Sequence, residues 1–274
     1  MPELAEVETF RQQLEPLLLN RRIEEIQLFH PRSTRRHIDK TLFVREVTGK
    51  NIESVSRFGK YLTFKLSSGK FLNVHLRMSG RFLSFDRESF DISICPKHTH
   101  VVILTKENAI AFIDPRTFGE FWLSESATPE ILKGIDAYES SEAQIKENLL
   151  KFSQSKRPIK SLLLDQNVLS GIGNIYADEI CATSKVLPTK KMSEMNQSEF
   201  VKISKSCRIV LKDAIESRGS SLRDESFRDL NGEIGKFQIH HLVHARKTCS
   251  RCGLEINKTK VAGRSTYFCA NCQH

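Results

Sequence analysis

Four cysteines gathered at the end of the chain restrict its fold more than any other feature. Cys249, Cys252, Cys269 and Cys272 read C-x2-C, sixteen residues, C-x2-C. That is a four-thiolate zinc pattern. The alternative is a pair of disulfides, which an intracellular chain rarely keeps. The other three thiols, Cys95, Cys181 and Cys207, are scattered and read as ordinary buried side chains. Between the half-sites, VAGRSTYFC (261–269) reads as two strands joined at Gly263, a zinc-ribbon hairpin with Arg264 at its tip. Arg246, Lys247, Arg251, Lys258, Lys260 and Arg264 face Glu255 alone from residue 246 onward. Such a stapled hairpin can present arginine to phosphates; the plainer reading is a structural knuckle with solvated charges.

The other end, MPELAEVETF, admits two readings. Leu4, Val7, Leu14 and Leu17 recur on one helix face. Proline suits the first helical position, and Glu3 and Glu6 favour the positive end of the dipole. The second reading is chemical. A small second residue lets Met1 be removed, which leaves Pro2 with a free secondary amine. That amine can attack a sugar carbon and become an iminium electron sink, with Glu3 beside it for proton transfer.

A formal charge of +9 and a pI near 9.2 favour a polyanionic partner, nucleic acid before membrane. No apolar run approaches the ~20 residues of a membrane span, and the acidic N-terminus is not a secretory signal. The chain reads as intracellular and cytoplasmic, near the nucleoid when acting on DNA, with a monomer as the default.

Residues 23–125 read mostly as short strands with SSGK, MSGR and KEN as turns, which implies a β-sandwich or flattened barrel. The period becomes helical in PIKSLLLDQ, NIYADEICATSKV and SEFVKISKSCRIVLKDAIES. The expected class is α+β. An N-terminal β-sandwich with flanking helices would span 1–130, a connection 131–150, a helical domain 151–240 and the zinc module 241–274. Residues 218–240, Gly- and Ser-bearing and polar, read as a mobile loop.

Three further stretches could carry chemistry. LSGIGNIYADE (169–179) joins two helices through a glycine turn with Asn174 as N-cap, an arrangement that can hold a phosphate. HLRMSGRF (75–82) is a hairpin tip carrying Met78, and DPRTFGE (114–120) places Arg116 and Phe118 on a second turn. Apolar and guanidinium wedges can fill the void left by a flipped-out nucleotide. Ordinary packing is the plainer reading of each taken singly.

Together MPEL-EVET, FGKYL (58–62), HLRMSG, DPRTFG, LLLDQ, GIGNIYADE and the closing cysteine pattern with GR-T-FC-x-C resemble the bacterial formamidopyrimidine-DNA glycosylases, from residue 2 to 272. The resemblance implies a helix-two-turn-helix domain, a zinc finger with one structural zinc, and base-excision repair of 8-oxoguanine and formamidopyrimidines in duplex DNA by β,δ-elimination. It implies Pro2 as the nucleophile, Glu3 as acid/base partner, and Lys60, Asn174 and Arg264 as a phosphate clamp. Met78, Arg116 and Phe118 would be the intercalating set, with Arg116 toward the orphaned cytosine. Lys160 aligns with a lysine near the lesion pocket, and 218–240 with a segment closing over the extruded base.

The sequence also departs from that pattern. Ala5 stands where the family usually has proline, Thr117 where arginine is common, and HHLVHARKTC is less typical. An endonuclease VIII-like enzyme for oxidised pyrimidines, or a damage binder without turnover, are the competing readings. DPRTFG and the long loop argue against the first, and intact Pro2, Glu3, Lys60 and Arg264 against the second.

Overall fold

The computed structural model describes residues 2–127, 133–221 and 227–274. The chain forms two compact units, Met1–Glu130 with Arg218–Gly235, and Ile131–Ser217 with Lys236–His274.

The first unit opens with α1 (Leu4–Leu18), β1 (Glu25–Leu28) and α2 (Lys40–Val47). Seven strands follow: β2 (Ile52–Phe58), β3 (Tyr61–Leu66), β4 (Phe71–His75), β5 (Arg81–Asp86), β6 (Thr99–Leu104), β7 (Asn108–Ile113) and β8 (Glu120–Ser124). They build two antiparallel four-stranded sheets, ordered β1-β6-β7-β5 and β2-β3-β4-β8. Strand alternation decides which side chains meet between them. Ile110 and Phe112 of β7 join the shared core, while Ala109, Ala111 and Ile113 face the other way, under Phe90 and Cys95. Phe82, Phe112 and Phe121 pack edge-on or tilted at 5.0–6.4 Å between centroids. Helix α1 adds Val7, Phe10, Leu14 and Leu18 to this core.

Three local expectations need correction here. Pro2 is not the first helical residue: α1 starts at Leu4, and Glu3 is its N-cap in a reciprocal capping box with Glu6. Leu18, not Leu17, completes the fully buried face of that helix. The described parts of 218–240 are not a polar excursion. Phe227 and Leu230 are buried, and Phe227 meets Phe10 edge-on at 5.6 Å. Two aromatic and aliphatic anchors outweigh the polar composition around them, so Arg218–Gly235 packs with the first unit. The central residues 222–226 lie outside the described residues.

The second unit holds β9 (Ile135–Asp136), α3 (Glu142–Leu150), α4 (Ile159–Leu163), β10 (Leu169–Ser170), α5 (Asn174–Ser184), α6 (Gln197–Glu216), β11 (Asn257–Val261) and β12 (Arg264–Phe268). The expected helical connection falls partly on 128–132, outside the described residues. Helix α6 is opened by Asn196, which accepts from the Glu199 N–H in a second reciprocal box. It buries Phe200, Ile203, Cys207, Val210, Leu211 and Ala214. Gly173, not Asn174, is the N-cap of α5, so Asn174 stands at the first helical position.

Candidate active site and nucleic-acid interface

In the first unit, Pro2 is buried immediately ahead of Glu3, which is 2% exposed. Glu6 organises this helix start. Its Oε2 accepts the Glu3 N–H at 2.8 Å and its Oε1 accepts the Ser220 N–H at 2.7 Å. The neighbouring Gly219 sits at φ +78°, where a Cβ would come within 2.8 Å of the Glu6 carboxylate. Behind it, the buried Arg57 guanidinium pairs with Glu8 at 3.0 Å. The head of α1 is therefore crowded with carboxylates that backbone N–H groups and the guanidinium groups of Arg57 and Arg11 hold in place.

Lys60 is 9% exposed, in the tight turn between β2 and β3. At that end of the sheet Tyr61 faces His75, and His75 is the register partner of Glu120. Glu120 is ion-paired with Arg35 and Arg36 at 3.2 and 3.1 Å and with Arg77. Burial pushes its carboxyl upward, but hydrogen bonds and charge from Arg36 and Arg77 outweigh that and hold it at about 2. His75 is depressed to about 3, first by burial and then by the charges of Arg77 and Lys60. Its Nδ1 accepts the Arg77 N–H at 2.9 Å, which leaves the ring hydrogen on Nε2. One carboxylate among three arginines and a lysine leaves a positive surplus suited to phosphate. Sequence reasoning passed over His75 and Glu120. The signal was present: both lie inside HLRMSG- and DPRTFG-containing stretches, opposite one another in a hairpin-rich segment.

The two wedge turns are joined by one buried carboxylate. Asp114 accepts from Ser79 Oγ at 2.5 Å on the Met78 turn, and from the N–H groups of Arg116 and Gly119 at 3.2 and 2.6 Å. Gly80 and Gly119 both press on the Phe112 ring, where an added Cβ would lie within 2.4–2.9 Å of its atoms or of the Leu76 carbonyl. That contact explains the glycines of both motifs. Met78 is half-buried, Arg116 is exposed, and Phe118 is 41% exposed with the Arg116 guanidinium 5.3 Å from its ring centroid. An exposed phenylalanine carrying a guanidinium is costly to leave in water and is suited to a base stack. Thr117 lacks the common arginine, yet Arg32 Nη1 stands 3.4 Å from its hydroxyl.

In the second unit the four cysteine sulfurs lie within 4.8 Å of one another. The Cys249–Cys272 and Cys252–Cys269 separations are 4.0 and 3.5 Å. Tetrahedral zinc with bonds of about 2.3 Å needs sulfurs roughly 3.8 Å apart, whereas a disulfide needs about 2 Å. The quartet fits one structural zinc. Arg264 opens β12 directly after the Ala262–Gly263 turn and is exposed. Asn174 Nδ2 donates to the Ser265 carbonyl at 3.0 Å, so the helix start and the hairpin meet there. Lys160, expected at DNA, is fully buried and ion-paired with Asp178 at 2.7 Å. A side chain with no exposed surface offers DNA no direct contact, so the expectation of Lys160 as a DNA-binding residue near the lesion pocket is corrected.

Residues 1–121 match the family model of the formamidopyrimidine-DNA glycosylase N-terminal domain, 134–226 that of its H2TH domain, and 246–274 that of the zinc finger found in FPG and IleRS. A formamidopyrimidine-DNA glycosylase of Prochlorococcus marinus is 38% identical over the whole of both chains. That of Bacillus subtilis is 34% identical over 100% of this chain and 99% of its own. Among solved structures, a Lactococcus lactis Fpg complex with abasic-site DNA has a TM-score of 0.85 at 34% identity, covering 99% of each chain. A Lactococcus lactis FPG mutant bound to Fapy-dG-containing DNA has a TM-score of 0.86 at 33% identity, again covering 99% of each.

Proposed function

The chain belongs to the formamidopyrimidine-DNA glycosylase family, and from that premise we propose that it removes oxidised purines from duplex DNA and then cuts the strand at the abasic site. The observation that carries this reading is Pro2, buried directly ahead of the N-cap Glu3 at the head of α1.

With Met1 removed, the Pro2 nitrogen attacks C1′ of the damaged nucleotide. The bond from C1′ to the base breaks, and the base leaves with its electron pair and a proton. Glu3 protonates the ring oxygen, the sugar opens, and the Pro2 nitrogen becomes an iminium. That sink acidifies the C2′ hydrogens. Loss of one expels the 3′ phosphate, and a second elimination expels the 5′ phosphate, leaving a one-nucleotide gap. Water then hydrolyses the iminium and frees Pro2. Lys60, Asn174 and Arg264 hold the flanking phosphates. Met78, Arg116 and Phe118 occupy the space vacated by the base, with Arg116 toward the orphaned cytosine. The zinc ion holds the β11–β12 hairpin and takes no part in bond-making.

Substrate competition tests the reading. An 8-oxoguanine:cytosine duplex should be nicked in preference to a thymine-glycol:adenine duplex. The opposite order would move the protein to an oxidised-pyrimidine specificity. A Pro2→Gly protein should nick more slowly, and wild-type activity in it would show that the secondary amine of proline is not required.

A further inference from the structure

Lys160 is the most deeply buried lysine that the reaction scheme leaves without a task. It lies on α4 and is 0% exposed, as is its partner Asp178 on α5. The Lys160 ammonium donates hydrogen bonds to Thr266 Oγ1 at 2.8 Å and the Ser265 carbonyl at 3.0 Å, and it is ion-paired with Asp178 Oδ1 at 2.7 Å. The Thr266 hydroxyl, having accepted from Lys160, donates onward to the Arg264 carbonyl at 3.1 Å. The Ser265 carbonyl takes its second hydrogen bond from Asn174 Nδ2 at 3.0 Å. The other Asp178 oxygen, Oδ2, meets His244 Nδ1 at 2.8 Å and accepts the Tyr267 N–H at 3.3 Å.

The outer edge of a two-stranded hairpin leaves alternate N–H and C=O groups open. On β12 these are the Ser265 carbonyl and the Tyr267 N–H, and they are filled by Lys160, Asn174 and Asp178. A buried ion pair is seldom more stabilising than apolar side chains of the same volume. Its use lies in fixing one geometry, because each partner demands its own direction.

We propose that Lys160 and Asp178 are positioning residues that set the placement of Arg264 against Asn174, through the peptide groups of 264–267. The proposal rests on reading Arg264 and Asn174 as phosphate ligands.

Three variants test it: Lys160→Met, Arg264→Ala and the double replacement, with Thr266→Val as a milder change that strands no charge. Binding to a duplex carrying a tetrahydrofuran abasic analogue is measured across salt concentration, with amide hydrogen exchange at 264–267 and zinc content. Lys160→Met should weaken binding on the order of tenfold. It should cost little further once Arg264 is already alanine. Thr266→Val should speed exchange at 264–267, keep its zinc, and weaken binding less. Additive losses from Lys160→Met and Arg264→Ala would overturn the proposal, as would wild-type exchange and affinity in Thr266→Val. If the unaltered protein fails to bind the duplex, the functional reading fails instead, and exchange at 264–267 still decides whether the strut exists.

Discussion

Glu6 shows how far one side chain can reach. It closes the capping box of α1, yet the same carboxylate receives the N–H of Ser220, more than two hundred residues away. A first-turn carboxylate suited to the helix dipole was legible from the sequence, but its capping role and its second partner were not, because nothing in local spacing encodes a contact at that separation. Gly219 is the matching requirement, held at φ +78° against that carboxylate. Gly219→Ala should lower stability by about 1–2 kcal/mol from backbone strain alone. It should also slow single-turnover base release; thermal unfolding and quench-flow check the two effects, and unchanged values would release Glu6 from this role. Pro2 and Lys160 mark the opposite ends of legibility. The chemical type of Pro2 announced itself, whereas the burial of Lys160 depends on β12, about a hundred residues later in the chain, and no pattern around PIKSLLL reveals it.

Short elements carry the recognition. The wedge turns could be located from MSG and DPRTFG, but their union through Asp114 needed the fold. Gly119→Ala would push a Cβ into the Phe112 ring at 2.4 Å. Overpacking of that kind costs roughly 1–3 kcal/mol. The variant should therefore melt lower and bind damaged duplex more weakly than it binds an undamaged one relative to wild type; equal losses on both would separate the turn from lesion recognition. The zinc hairpin was the most legible element, since thiolate spacing follows directly from tetrahedral geometry. Chelation should abolish lesion binding while the first unit keeps its cooperative melt, because the two units have separate cores. Unchanged affinity in the stripped protein would mean that the hairpin does not hold DNA.

Across the whole molecule, strand-rich and helix-rich halves were visible in the hydrophobic period, and the return of Arg218–Gly235 to the first unit was not. Polar composition concealed the two anchors, Phe227 and Leu230. The +9 charge predicts affinity that falls steeply with salt, as counterions are released from phosphates; a flat salt response would count against the clamp. Stability should also decline in acid. His75 stays neutral down to about 3 when folded, against 6.5 unfolded, and Glu120 stays ionised to about 2, against 4.5. In both windows the unfolded chain binds more protons, so stability is fully present above the unfolded values and is lost as pH falls through them. Urea titrations from pH 7 to pH 4 should show this loss, reduced in a His75→Gln variant. The central claim, that the amine of Pro2 becomes covalently bound to damaged DNA, is tested most directly by borohydride trapping. Mature protein is mixed with an 8-oxoguanine:cytosine duplex, reduced, and mapped by peptide mass. A cross-link at Pro2 is the predicted result; tight binding with no cross-link, or one mapped to a lysine, would contradict it.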